Sequence, residues 1–399
     1  MCTMSIHDHL VELAQQQRGQ TLDQTAAERP GAAVGTPPPL EVEFLPWGDA
    51  EGDGAAPCEI LATLGSVELE YAALQRGVGI LDAPHRGTIR VTGVDAIDLM
   101  DRLVTNKVTG LSDGDVVRAF LLNRKGRIQS DLRLTIVGQD VLLDMDVHDL
   151  ERVVSMIDSS IFTEEAVVKI ETTAHRLELY GAEVNGLLET WNLSVPEVGR
   201  SLSGAVNGIP VRVMHCDLLV VPGVSIFVDQ TAALSVWTAL LNTEFQHPVR
   251  PLGWYALNMA RMESKTPLFH VDFGLTSLPH ETGLLNSRVS FTKGCYPGQE
   301  VVARMEHLGH PKQIVRFAAM GCEHLPVAGG HVLACDADLT DAPIGVVTSS
   351  APSPMRGSQS VCLAMVKWAY AAPGNSVDFQ AGTHRWTVPL ELCRDGEEC

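Results

Sequence analysis

The sequence Lys293-Gly294-Cys295-Tyr296-Pro297-Gly298-Gln299-Glu300 is the densest run of special residues in the chain. Its two glycines and one proline predict a tight, irregular backbone. Cys295 lies inside this backbone, with Lys293 two residues before it and Arg304 nine residues after it. Nearby cations lower the pKa of a thiol, so Cys295 is a candidate reactive thiol. The alternative is a small buried residue in a structural turn. The residues after Glu300 fit either a helix or a strand.

A second informative segment is a predicted hairpin. The turn-type residues 123–127 separate Val116–Leu122 from Ile128–Val137, two runs of strand-forming residues. Side-chain alternation places Asp131 on the polar face of the second strand. That face is either solvated or directed into a cleft. In a cleft, the carboxylate of Asp131 could accept two hydrogen bonds from a ligand amine or N–H group.

Around this hairpin the pattern of strands and helices occurs twice. The first set comprises a strand at Ile89–Val91, a helix at Gly93–Thr105, the hairpin, a strand at Val141–Asp146 and a helix at His148–Phe162. The second comprises a strand at Arg176–Tyr180, a helix at Ala182–Asn192, strands at Pro210–Met214 and Leu218–Val221, and a helix at Thr231–Asn242. Two tandem units of this type predict an α+β fold with a duplicated lobe and a cleft between the halves.

The chain divides into three predicted regions. Residues 1–57 are expected to form a mobile extension, because residues 31–57 are rich in Gly, Pro, Ala and acidic side chains, although the first fifteen or so could form a short helix. Residues 58–310 are expected to hold the two lobes, about 58–170 and 171–310. Short strands separated by Gly and Pro turns predict a small β-barrel or sandwich over residues 311–399.

Composition excludes several classes of function. The formal net charge of −20 argues against binding to nucleic acid, which needs clustered Lys and Arg. The nine cysteines include no C-x-x-C pair, and the start of the chain lacks a signal-peptide pattern, so free thiols in the cytoplasm are expected. His307 and His310 have no third ligand in view, so no metal site is predicted. The longest apolar stretch, Leu218–Val228, is interrupted by Pro and Gly and is too short to span a membrane.

Taken together, these segments resemble the YgfZ family of folate-binding proteins, in the glycine-cleavage T-protein (aminomethyltransferase) superfamily. Residues 293–300 are similar to the K-G-C-[FY]-x-G-Q-E signature of that family. Further similarities follow in the family's order, at Gly77–Asp82, Leu103–Asn106, Leu122–Arg127 and Arg261–Glu263. The resemblance covers roughly residues 60 to 390.

The resemblance implies duplicated folate-binding lobes of the aminomethyltransferase type around a central cleft, followed by a C-terminal β-barrel. It implies tetrahydrofolate as the cofactor and, as partners, client enzymes or assembly proteins of iron–sulfur clusters. The implied working residues are Cys295 and Asp131. The candidate folate-binding residues are Asn123, Asp131, Arg261, Glu263 and Glu281. The family motif comprises Lys293, Gly294, Cys295, Tyr296, Gly298, Gln299, Glu300 and Arg304.

The sequence also departs from the aminomethyltransferases. Their acidic pair corresponds to Ser130-Asp131, and the acid that holds their pterin has no counterpart in Val221–Val228. Their folate-tail arginine falls at Leu257-Asn258. The chain thus lacks two charged groups with which the aminomethyltransferases bind folate. The first hypothesis is therefore a folate-binding accessory protein that supports iron–sulfur cluster assembly or repair. A tetrahydrofolate-dependent aminomethyltransferase using Asp131 is the second. A binding module that has lost its ligand is the third.

Overall fold

The computed structural model describes residues 5–13, 15, 42–48, 58–321, 324–335, 341–381 and 384–396. The helices are α1 (residues 6–13), α2 (Val67–Arg76), α3 (Ala96–Leu103), α4 (Leu150–Asp158), α5 (Val184–Glu189), α6 (Ala233–Leu241), α7 (Trp254–Glu263), α8 (Leu285–Arg288) and α9 (Gln299–Leu308). The strands are β1 (Val42–Trp47), β2 (Cys58–Leu64), β3 (Val78–Asp82), β4 (Arg86–Thr92), β5 (Val116–Leu122), β6 (Ile128–Val137), β7 (Asp140–Asp146), β8 (Val167–Ile170), β9 (Ala174–Tyr180), β10 (Ser201–Val206), β11 (Ile209–His215), β12 (Gly223–Asp229), β13 (Val249–Pro251), β14 (Gln313–Met320), β15 (His331–Ala334), β16 (Gly345–Ser353), β17 (Gln359–Lys367), β18 (Ser376–Ala381) and β19 (His384–Glu391).

Two sheets of matching topology form the body of the molecule. The first has five strands in the order β5-β6-β7-β4-β8. The second has six strands in the order β10-β11-β12-β9-β3-β13, which is the same arrangement with β3 inserted. Apolar residues of α3 and α4 pack on the first sheet, as Leu99 and Ile157 illustrate, whereas Trp237 of α6 packs on the second. The predicted duplicated α+β lobe is therefore confirmed.

Strand β3 joins the second sheet, although it precedes the first sheet in the chain. All of its residues, Val78–Asp82, are buried, and it pairs with β9 on one side and β13 on the other. A strand that is buried throughout needs partners on both edges, and here both partners lie about 100 residues or more further along the chain. The expected division of the lobes near residue 170 therefore does not hold for this strand.

The N-terminal region also differs from expectation. Strand β1 pairs with β2 from Val42↔Leu64 to Trp47↔Cys58, and Ile6 and Leu10 of α1 are buried in the core of the second lobe. The prediction of a mobile extension is therefore wrong for these segments, because their apolar side chains have partners in the folded body. The remainder of that prediction falls on residues 1–4, 14, 16–41 and 49–57, which lie outside the described residues.

Two local predictions are settled by the structure. The strand expected at Leu218–Val221 is wrong, because that segment bends and β12 begins at Gly223, directly after Pro222. Proline has no N–H group to donate to a ladder, so the strand starts beyond it and pairs with β9 and β11. The residues after Glu300, which fitted either structure, form helix α9.

The C-terminal region confirms the predicted barrel. Six strands close in the order β14-β17-β16-β15-β18-β19. Phe379, Val377 and Leu390 are among the apolar residues of its core. Helix α7 packs against β16, which fixes the barrel against the two lobes. Among the described residues, no helix is long and apolar enough to cross a membrane.

Candidate functional site

A cavity lies between the two lobes, where strands β6 and β9 contribute polar side chains. Its volume is about 80 Å³, which is room for a few ordered water molecules. The residues that line it are Trp47, His85, Arg86, Arg118, Asp131, Leu132, Arg133, Asp146, Arg176, Glu178, Tyr180, Cys216, Leu218, Trp254, Leu257, Leu268 and Phe269.

Asp131 is the predicted site residue that lines this cavity. Its carboxylate accepts a hydrogen bond of 3.0 Å from Nε of Arg288, and Nη2 of Arg118 lies 3.7 Å away. Ser130 points to the other face of β6, where its hydroxyl donates to Asp149 at 2.7 Å. Of the pair Ser130-Asp131, the residue that retains a carboxylate is thus the one directed to the cavity, as strand alternation requires.

A network of charged side chains forms one wall of the cavity. Asp144 accepts hydrogen bonds from Arg86, at 2.9 Å, and from Arg176. Burial alone would raise the pKa of Asp144, but the guanidinium groups of Arg176, Arg86 and Arg133 outweigh burial and hold this pKa well below its usual range. Arg133 also donates to the hydroxyl of Ser225 at 3.1 Å. The wall is therefore an ionised, hydrogen-bonded network.

Glu178 supplies an acidic group that the sequence analysis did not identify. It lies on β9, directly across from Ser225 of β12, and lines the cavity. Its carboxylate accepts a hydrogen bond of 2.6 Å from the hydroxyl of Tyr180 and pairs with Arg176 at 3.0 Å. Burial opposes ionisation, yet Arg176, Tyr180 and Arg133 together lower the pKa of Glu178. Val221–Val228 contains no acid, but the adjacent strand β9 supplies Glu178.

Another part of the cavity lining is aromatic and apolar. Trp47 packs against Trp254 with ring centroids 5.1 Å apart, and against His85 at 4.6 Å. Leu257 and Phe269 extend this part of the lining. The cavity thus combines charged side chains with aromatic and apolar ones, a composition found in sites for small molecules.

Several buried N–H or ring nitrogen atoms of the lining residues have no hydrogen-bond partner among the residues described. These atoms are Nδ1 of His85 and the Nε atoms of Arg86, Arg118 and Arg176. A buried polar atom without a partner costs about 1–3 kcal/mol. Such atoms are therefore expected to bind water or the polar edge of a ligand. A molecule with hydrogen-bonding groups around a planar ring fits this lining.

Comparison with known proteins agrees with this architecture. The model of the GCVT N-terminal domain matches residues 61–293, more than half of the chain. The chain belongs to the GCVT N-terminal domain family. The aminomethyltransferase of Bacillus cytotoxicus is 24% identical over 81% of this chain and 87% of its own length, and that of Bacillus mycoides is 24% identical over 82% and 89%. The glycine cleavage system aminomethyltransferase T of Bartonella henselae has a similar fold, with a TM-score of 0.75 at 19% identity over 84% of this chain and 91% of that chain.

Two other predicted folate contacts of this GCVT-family chain lie outside the cavity. The side-chain oxygen of Asn123 accepts hydrogen bonds from the backbone N–H groups of Lys125, at 2.9 Å, and Arg127, at 3.1 Å. Asn123 therefore shapes the turn of the β5–β6 hairpin. Glu281 accepts from the backbone of Leu278 at 2.9 Å and lies 3.8 Å from Arg127. Its burial raises its pKa.

Arg261 and Glu263 join helix α7 to neighbouring parts of the GCVT-family fold. Arg261 is fully buried and pairs with Asp272 at 2.6 Å. Glu263 accepts hydrogen bonds from the hydroxyls of Tyr71, at 2.5 Å, and Ser353, at 2.6 Å. Neither residue lines the cavity. Both therefore hold α7 against helix α2, the loop after α7 and the barrel.

The motif at residues 293–300 has a structural role, which the contacts of Lys293 show. Its ammonium group is buried and donates to the carbonyl groups of Asp101, Val104, at 2.8 Å, and Asn106, at 2.9 Å. These carbonyls lie at and just beyond the C-terminal end of α3, where a cation is favoured. The ammonium group of Lys293 is therefore engaged at the end of α3 rather than left without partners.

The remaining motif residues divide between surface and core. Cys295 is exposed and free, and Arg304 is exposed on α9. Tyr296 is buried in the core that joins the hairpin, the barrel and the loops before α9. Gln299 and Glu300 begin α9 directly after Gly298. Among the described residues, no group of three or more His, Cys, Asp or Glu side chains could hold a metal ion.

Proposed function

We propose that this protein binds a reduced folate, tetrahydrofolate, in the cavity between the lobes. The observation that carries this proposal is the placement of Asp131 and Glu178 in one cavity with the aromatic side chains of Trp47 and Trp254. A reduced pterin is a flat bicycle with hydrogen-bond donors and acceptors on its edges. The aromatic side chains would pack on the face of the pterin, and the carboxylates and unpartnered nitrogen atoms would form hydrogen bonds with its edges.

Recognition of the folate tail would differ from that in the aminomethyltransferases. Leu257, at the position of their tail arginine, is almost completely buried and lines the cavity. The adjacent Asn258 donates to the backbone carbonyl of Ser350 at 3.3 Å. Neither residue offers a cation to a carboxylate. The ring, rather than the glutamyl tail, would therefore contribute most of the affinity.

We further propose that the folate-loaded protein acts in the cytoplasm as an accessory protein that supports assembly or repair of iron–sulfur clusters in client enzymes. In support, the resemblance of residues 293–300 to the YgfZ signature includes Cys295, whose thiol is exposed. An exposed thiol can contact a partner protein, whereas a cavity between the lobes can admit only a small molecule. Since iron–sulfur clusters are usually held by about four ligands, a partner would supply the others.

A second function, a tetrahydrofolate-dependent aminomethyltransferase, is favoured by the orientation of Asp131. Its carboxylate lines the cavity and is held by Arg288 at 3.0 Å. Tetrahydrofolate would supply the one-carbon acceptor chemistry in that case, and Asp131 would bind and orient the nitrogen-bearing edge of the ring. The curated relatives are named aminomethyltransferases, at 24% identity.

Calorimetric titration with tetrahydrofolate under anaerobic conditions tests the binding proposal. Wild-type protein, Asp131→Ala and Cys295→Ala are compared. We expect saturable binding to the wild type and to Cys295→Ala, and at least tenfold weaker binding to Asp131→Ala. An absence of binding to the wild type would refute the proposal, and equal affinity in all three proteins would place the ligand elsewhere.

Two assays separate the accessory role from the transferase. In cells that lack the native protein, Cys295→Ala should fail to restore the activity of iron–sulfur enzymes, whereas Cys335→Ala, which alters another exposed thiol, should restore it. Full restoration by Cys295→Ala would reject Cys295 as the working thiol. Tetrahydrofolate-dependent one-carbon transfer by the purified protein, lost in Asp131→Asn, would instead establish the transferase.

A further inference from the structure

Strand β1 brings an aromatic residue to the cavity from outside the matched family region. Trp47 is the last residue of β1 and precedes residues 61–293, yet its side chain lines the cavity. The strand is held by β2, with Trp47 opposite Cys58. A segment near the N-terminus therefore forms part of the wall that a ligand would meet.

Trp47 is held by hydrogen bonds with the first lobe and by the pairing of β1 with β2. Its Nε1 donates to Asp146 at 2.7 Å, and its backbone carbonyl accepts from Nε2 of His148 at 2.8 Å. Asp146 ends β7 and His148 lies two residues later, both in the first lobe, whereas β1 pairs with β2 beside the second. The next residue, Gly48, has a φ of 89°, and a β-carbon there would lie 2.4 Å from the His148 ring. The ring is thus held in place without a ligand.

His85 lies beside Trp47 and has an unused polar atom. The two ring centroids are 4.6 Å apart at an angle of 47°. The imidazole is buried, and its Nδ1 has no hydrogen-bond partner among the described residues. Burial first, and then the charge of Arg86, lower the pKa of His85 to about 4. At neutral pH the ring is therefore uncharged and can either donate or accept a hydrogen bond, according to its tautomer.

We infer that Trp47 and His85 are ligand-binding residues: the indole of Trp47 packs on the face of a planar bicyclic ring, and Nδ1 of His85 bonds a polar atom on the edge of that ring. The identity of the ring as a reduced pterin rests on the proposed function, whereas the aromatic wall does not. Both side chains line the cavity, and a buried polar atom such as Nδ1 of His85 is expected to bind water or a ligand. The charged residues of the cavity lining would bind the far edge of the same ring.

The test compares binding of two probes, tetrahydrofolate and the bare ring 6-methyltetrahydropterin. The variants are Trp47→Ala, Trp47→Phe and His85→Phe, and the control is Trp368→Ala. Trp368 is partly exposed and stacks on His310, with ring centroids 5.5 Å apart, away from the cavity. Trp47→Ala should weaken binding of both probes by roughly tenfold to a hundredfold, as expected for loss of an aromatic stacking partner.

The other variants separate stacking from hydrogen bonding. Trp47→Phe keeps a ring and should recover most of the affinity lost in Trp47→Ala. His85→Phe keeps a ring but lacks Nδ1, and should weaken binding about tenfold, as expected for loss of a buried hydrogen bond. Trp368→Ala should bind like the wild type. If Trp47→Ala does not fold, Trp47→Leu, which is larger but not aromatic, replaces it.

Each outcome bears on a different statement. Affinity within twofold of the wild type in folded Trp47→Ala and His85→Phe would overturn the inference while leaving the folate proposal intact. The wild type could instead bind the bare ring but not tetrahydrofolate, while Trp47→Ala binds neither probe. That result would refute the folate proposal and support the inference. Binding of neither probe to the wild type would overturn both.

Discussion

Gly298 lies against the carbonyl oxygen of Asn123, so close that a β-carbon at position 298 would be only 2.6 Å from that oxygen. The same β-carbon would be 2.8 Å from the α-carbon of Gly126. This contact joins the start of helix α9 to the turn of the β5–β6 hairpin. The second strand of that hairpin carries Asp131. The motif at 293–300 therefore supports the hairpin that forms part of the cavity, even though the cysteine of the motif is exposed.

Substitution of the two motif glycines should have unequal effects. Gly298 has a φ of 81° and no space for a side chain, so Gly298→Ala should destabilise the protein by roughly 2 kcal/mol or more. At Gly294, a β-carbon would meet no atom within 4 Å. Gly294→Ala should therefore leave stability almost unchanged. Chemical denaturation measures the stability of both variants. Equal denaturation midpoints for the two would contradict the close contact between Gly298 and Asn123.

Replacement of Lys293 should affect folding rather than thiol reactivity. Its buried ammonium group binds three backbone carbonyls, so Lys293→Met should lower the free energy of unfolding by about 2 kcal/mol. The rate at which iodoacetamide alkylates Cys295, followed by mass spectrometry of its peptide, should stay within about twofold of the wild-type rate. A rate reduced tenfold in the folded variant would show that Lys293 activates the thiol after all.

Removal of one partner from the buried ion pair of Arg261 and Asp272 should be strongly destabilising. The two side chains are fully buried and 2.6 Å apart. Arg261→Met would leave a buried carboxylate without its cation, at a cost of about 3–5 kcal/mol. Denaturant titration should show this loss. The double variant Arg261→Met with Asp272→Leu should recover part of it, and its failure to do so would indicate that Arg261 acts through other contacts.

Stability should fall between about pH 6.5 and pH 4 because of His85. Its pKa is lowered from 6.5 to about 4 in the folded state, so the unfolded chain binds a proton in this range while the folded protein does not. The stability that the neutral ring provides is complete above pH 6.5 and is lost as pH falls toward 4, by an amount on the order of 2 kcal/mol. Urea titrations at pH 7 and pH 4.5 should therefore differ less for His85→Phe than for the wild type. Equal differences would contradict a buried neutral imidazole.

Local patterns predicted much of this fold. The hairpin at Val116–Leu122 and Ile128–Val137 follows from turn residues between alternating strands, and its bounds match the structure. Its alternation also directs Asp131 and Ser130 to opposite faces. Short strands with Gly and Pro turns predicted a barrel or a sandwich, and closure depends on the pairing of β14 with β17 and β19. In the hairpin the deciding interactions involve residues close together in sequence and a pattern repeated along one strand.

The features of the fold and of the cavity that the sequence did not reveal depend on contacts between distant parts of the chain. The position of β3 between β9 and β13 depends on strands about 100 residues or more further along the chain. Glu178 was missed because an acid was sought in β12, and only the register shows that Glu178 lies opposite Ser225. Trp47 was placed in an extension of low apolar content, although it packs on His85 and Trp254. Its cavity contacts cannot be read from neighbouring residues.

A crystal structure of the protein grown with tetrahydrofolate tests the central claim most directly. Our account predicts electron density for the pterin ring between the wall of Trp47 and Trp254 and the carboxylates of Asp131 and Glu178. Density instead in the groove lined by Tyr71, Met259 and Pro352, with the central cavity holding only water, would contradict it.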